Sequence, residues 1–144
     1  MSILPSEAPY PRRLDYNAVD GVIDLDLSGL RATAQDVDAI ADAIIAMASG
    51  LPKPPYVVAC WYGTILDADA ARRYAERLTD VARHVRAIVR YQAVDSMIRV
   101  LIRTETIKRR LQNSRAFIFD SRQDALRAIR AGTIEEQLRQ RGER

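Results

Sequence analysis

The run Tyr56-Val-Val-Ala-Cys-Trp-Tyr62 carries no charged residue. Pro52, Pro54 and Pro55 precede it and Gly63-Thr64 follows it. The prolines forbid a helix that continues into the run, so it reads as a strand. Successive side chains of a strand point to opposite faces. An apolar residue at nearly every position therefore has to be shielded on both sides, as in a central strand covered by helices above and below. This requirement selects an α/β architecture.

The flanking segments supply the covers and neighbouring strands. Val22–Leu27 alternates, with Val22, Asp24 and Asp26 on one side and Ile23, Leu25 and Leu27 on the other. Together with Arg12–Asn17 and a turn at Asp20-Gly21 it predicts a hairpin. Thr33 with Asp36 three residues on is a helix start, and Val37, Ile40, Ala41, Ile44, Ile45 and Ala48 form one stripe ending at Gly50. A second helix is expected from about Asp67, with Ala71, Tyr74, Ala75, Leu78, Ala82 and Val85 facing inward. Arg86–Tyr91 and Ala116–Phe119 read as strands. A third helix is expected from Val94, continuing or restarting through Lys108 to Leu111, and a fourth capped by Ser121 and closed by Gly132. Thr133-Ile-Glu-Glu136 reads as the capping box of a short charged helix.

The order is a hairpin followed by α-β-α-β-α-β-α. It predicts an α/β fold with a mostly parallel sheet of about five strands, an N-terminal hairpin and right-handed crossover helices. The expected organisation is an extended lead-in over 1–11, where Pro5, Pro9 and Pro11 cluster, one domain over 12–132 and a charged tail helix over 133–144.

Composition narrows the function. At 144 residues, 48% hydrophobic and 28% charged, the chain is long enough for one real core and has no apolar run long enough to span a membrane. No signal peptide is visible at the N-terminus, and the single cysteine, Cys60, fits a reducing compartment. A cytoplasmic location is expected. One His and one Cys disfavour a zinc site, and no metal or cofactor is expected. The chain contains no G-x-S-x-G elbow, no G-x-G-x-x-G after a strand and no P-loop. His84 reads as a surface histidine and Cys60 as a buried small apolar residue. No enzymatic activity is expected.

Two surfaces remain. At the end of the central strand, Trp61, Tyr62 and Thr64 lead to Asp67 and Asp69. Asp67 suits an N-cap and Asp69 complements the positive helix end. With two aromatic residues beside them, the five form a candidate partner-binding edge, because Trp and Tyr are enriched at interface hot spots. The second surface is basic. Net charge is +3, and Arg99, Arg103, Lys108, Arg109 and Arg110 crowd the expected third helix. They suit an anionic lipid surface better than nucleic acid, since exposed aromatic residues are missing from that stretch.

The sequence resembles the SpoIIAA-like family of the STAS fold. The resemblance is carried by Gly-Val-Ile-Asp-Leu-Asp-Leu-Ser-Gly (21–29), the Ala/Ile-rich helix and Val57-Val58-Ala59 leading to Ile65-Leu66-Asp67. Arg86-Ala87-Ile88-Val89 and Ala-Phe-Ile-Phe-Asp-Ser-Arg-Gln-Asp-Ala-Leu-Arg-Ala-Ile (116–129) continue it, so it covers about residues 12–131. It implies a non-enzymatic signalling module that binds a protein partner. In such proteins an Asp-Ser-Ser-Gly motif opens the second crossover helix, and a serine in it is phosphorylated. Here the motif reads Asp67-Ala68-Asp69-Ala70, with Asp69 at the serine position. The resemblance thus implies a contact edge without the usual phosphorylation switch. It also implies, through similarity to CRAL-TRIO domains, a lipid-binding alternative. The expected partner is an unidentified protein, with a second copy of the chain and an anionic lipid as alternatives.

Overall fold

The computed structural model describes residues 14–92 and 116–140. Strands β1 (Leu14–Asn17) and β2 (Val22–Asp26) form the expected antiparallel hairpin, with Leu14 opposite Leu25 and Asn17 opposite Val22. The Asn17 side chain organises its turn by accepting the backbone N–H of Val19 at 3.0 Å, while Gly21 takes φ +67°. That left-handed conformation is one most side chains avoid. The chain then makes β3 (Arg31–Ala32), α1 (Ala34–Ser49), β4 (Tyr56–Cys60), β5 (Ile65–Leu66), α2 (Ala68–Ala82) and β6 (Ala87–Tyr91). It ends with β7 (Ala116–Phe119), α3 (Arg122–Arg130) and α4 (Thr133–Gln140).

Five strands form one sheet in the order β1-β2-β4-β6-β7, antiparallel only between β1 and β2. From β2 to β7 each new strand is added on the same side. Right-handed crossovers then place α1 and α2 on one face, leaving the other to the helices after β7. Two cores result. On the first face Ile23, Leu25, Val57, Ala59 and Trp61 meet Val37, Ile40 and Ile44 of α1 and Ala70, Ala71 and Val81 of α2. On the second, Val22, Val58, Ala87, Val89 and Phe117 meet Ala125 and Leu126 of α3 and Ile134 and Leu138 of α4. Strand β4 contributes to both, as its apolar run requires. Each buried Val, Ile or Leu stabilises by about 1.5–3 kcal/mol relative to exposure.

The helix starts follow their local chemistry. Thr33 and Asp36 form a reciprocal capping box, with bonds of 3.0 and 3.2 Å. Asp67 caps α2 and Ser121 caps α3 through bonds to the third helical residue. Helix α4 begins differently from the expected box: its Glu136 N–H bonds the Gly132 carbonyl, so Thr133 lies inside the helix. Helix α4 packs against the second core. Ile134 and Leu138 are fully enclosed in the second core. Glu135 is gripped by Arg86 through bonds of 2.7 and 2.6 Å and accepts the Tyr56 hydroxyl. The lead-in over 1–11 and the expected third helix lie outside the described residues.

A second, two-residue parallel sheet joins β3 to β5, pairing Arg31 with Ile65 and Ala32 with Leu66. Strands this short leave no periodic trace, and the sequence did not predict them.

Candidate functional site

The parallel strands end together at one edge, where the chain passes from β4 into α2. Trp61 continues the strand direction and donates its backbone N–H to Tyr91 O at 3.0 Å. Its side chain turns inward and is 2% exposed. Tyr62 turns outward and is 62% exposed, while its carbonyl accepts Gly29 N–H at 2.9 Å. Gly63 takes φ +69°. A Cβ there would meet Gly29 N no closer than 3.7 Å, so the turn demands glycine for its backbone angle and not for space.

Thr64 is 1% exposed and donates its hydroxyl to the Leu27 carbonyl at 2.7 Å. Ile65 donates its backbone N–H to Leu30 O at 2.9 Å and is 47% exposed. The loops around 27–30 and 61–65 are thus held together by repeated backbone bonds. Asp67 accepts Ala70 N–H at 2.7 Å. Asp69 is exposed and pairs with Arg72 at 3.0 Å.

The five edge residues therefore divide. Tyr62, Asp67 and Asp69 reach the surface; Trp61 and Thr64 support it from inside, since alternation sends Trp61 toward α1 and α2 and the Leu27 carbonyl draws Thr64 inward. Ile65, not among the five edge residues expected from sequence, joins Tyr62 outside. Its pairing with Arg31 in the short ribbon leaves one side of its strand open. Arg99, Arg103, Lys108, Arg109 and Arg110 lie outside the described residues.

Behind the turn sits the least ordinary side chain of the molecule. Arg90, in β6, lies opposite Ala59 of β4 and Ile118 of β7. It is 0% exposed, and among the described residues neither Nε nor either Nη has a hydrogen-bond partner. Its Cζ lies 5.7 Å from the Trp61 ring centroid and 5.4 Å from that of Tyr74. The two rings meet edge to face at 5.5 Å and 81°. Trp61 Nε1 is likewise buried without a partner. Burial pushes the Arg90 guanidinium down to about 9. The sequence places Arg90 inside the predicted strand over 86–91 and gives it no role. The signal that could have found it is its phase: Arg90 is two residues from Ile88, which faces the first core.

An apolar cavity of about 60 Å3 lies between the sheet and the two helices, walled by Trp61, Tyr74, Thr64, Leu66 and neighbouring aliphatic side chains. It is far smaller than the ~150 Å3 that houses a benzene ring, and a lipid acyl chain does not fit it. Among the described residues no group of three or more His, Cys, Asp or Glu is placed to hold a metal ion, and no helix is long and apolar enough to cross a membrane. No protein-family model, curated protein or solved structure matches the chain.

Proposed function

We propose that this chain is a non-catalytic interaction module, of the kind its SpoIIAA-like resemblance implies, and that the β4–α2 turn is its partner-binding edge. The observation that carries this reading is the exposure of Tyr62 and Ile65 on a braced loop. Apolar side chains held on an ordered surface lose little conformational freedom on binding, which favours affinity. Tyr62 offers a large apolar ring with a polar tip, a residue type enriched at interface centres. Asp67 and Asp69 border the same surface and favour a partner with a basic rim. Asp69 stands where the resembled motif has its phosphorylatable serine and carries a fixed negative charge there, paired with Arg72.

The test is affinity capture with the full chain, comparing wild type with Tyr62→Ser and Asp69→Lys. Both positions are exposed, so circular dichroism and thermal midpoint should be unchanged. The expected outcome is a partner retained by wild type and lost by Tyr62→Ser, with Asp69→Lys weakening capture in a salt-dependent way. Identical capture by all three proteins would remove the edge from the binding surface.

A further inference from the structure

Other arginines in this molecule show how a partly buried guanidinium is normally satisfied. Arg77, between α1 and α2, donates its two Nη groups to Asp38 at 3.0 Å and Asp42 at 2.6 Å, while its Nε lies 3.0 Å from Asp80 without a hydrogen bond. Arg86 and Arg122 each hold a carboxylate, Glu135 and Asp24, by two bonds. Arg90 is more deeply buried than any of these and has no such partner among the described residues. Cation–π contact with two rings offsets only part of the cost of burying an ion.

We propose that Arg90 and the indole N–H of Trp61 form a binding site for a small monocarboxylic acid. Both groups only donate hydrogen bonds, so the missing partner is an acceptor. The planar guanidinium fork matches a carboxylate by two parallel bonds. One cation among apolar side chains neutralises one negative charge; a phosphate monoester carries nearly two and would leave charge uncompensated. Trp61 and Tyr74, the rings against Arg90, also wall the small apolar cavity. Arg90 itself does not line that cavity, and the full enclosure of both donors limits the acid to a few carbons. The site lies at the carboxyl ends of the parallel strands, where α/β sheets commonly bind ligands. Both donors are closed to bulk water, so loading requires a transient local opening.

The chain has a single tryptophan, so one indole 1H–15N resonance reports the site. Sodium propionate is titrated into the 15N-labelled full chain, with sodium chloride at matched ionic strength and inorganic phosphate as comparisons. The expected result is a saturable shift with propionate, none with chloride and about tenfold weaker binding of phosphate. The thermal midpoint should rise by about 10 °C at a propionate concentration one hundred times its Kd. Arg90→Met should abolish that rise. Trp61→Phe, which keeps a ring and removes the donor, should weaken binding about tenfold. Should Arg90→Met not fold, Arg90→Lys keeps the charge without the fork and should also weaken binding about tenfold. An indole resonance that stays still, or moves equally with chloride, overturns the site. Phosphate binding as tight as propionate overturns the monocarboxylate assignment, and unchanged affinity in Arg90→Lys or Trp61→Phe overturns the roles of those residues.

Discussion

Arg90 has a measurable stability consequence of its own. A buried charge without a counter-ion opposes folding, and replacing such groups by apolar residues of similar length often stabilises by about 1–4 kcal/mol. Arg90→Met in carboxylate-free buffer is therefore expected to raise the unfolding free energy obtained from urea denaturation by an amount in that range. A loss of several kcal/mol would show that the wild-type guanidinium is internally paired. The pH dependence has a definite sign. The folded-state pKa of Arg90 is lowered to about 9, so between that value and the ordinary guanidinium value the folded chain holds fewer protons than the unfolded one. Stability from this group rises with pH through that window, and the advantage of Arg90→Met should shrink as pH rises above about 9. Tyr56 and Tyr91 act oppositely: burial first, then Glu135 for Tyr56 and Cys60 for Tyr91, holds them protonated well above 10.0. Their contribution falls above pH 10, in wild type and variant alike, and cancels in the comparison.

At the scale of elements, α4 is held by one charged contact over an apolar anchor. The Arg86 guanidinium lowers the Glu135 carboxyl below its usual 4.5. A lowered acid contributes stability that is present above the unfolded value and disappears as pH falls through the folded one. Acidification below about pH 4.5 should thus loosen α4 before the central strands. Amide hydrogen exchange of 133–140 should accelerate relative to 57–60, and Glu135→Gln should remove most of that pH dependence. Equal acid sensitivity in the mutant would place the effect elsewhere. The charged sequence Thr133–Gln140 suggested a tail because its two large apolar residues, Ile134 and Leu138, are too few to announce a core face. Four residues apart, they lie one above the other on one side, and burial of that side is what joins α4 to the domain. Caps at Thr33, Asp67 and Ser121 were legible because they depend on residues within one turn. The β3–β5 ribbon was not, since two residues per strand carry no period and its pairing joins positions 34 apart in sequence.

Across the whole molecule, the two cores share one sheet, so damage to either should be felt by both. Leu138→Ala on the far face is expected to cost about 2–5 kcal/mol. It should lower a single cooperative transition, seen equally in Trp61 fluorescence on the near face and in far-ultraviolet circular dichroism. Two separate transitions would show that the faces unfold independently. The apolar run of β4, the hairpin alternation and the helix stripes were enough to determine an α/β chain with a mostly parallel sheet, because periodicity and capping are local and each residue type states its preference within a few positions. The tertiary structure alone decided that Trp61 and Thr64 face inward while Tyr62 and Ile65 face out, and that Arg90 rests on rings supplied by Trp61 and Tyr74. A side chain's charge is written in the sequence, but its solvation is set by neighbours that only strand register and helix packing bring together.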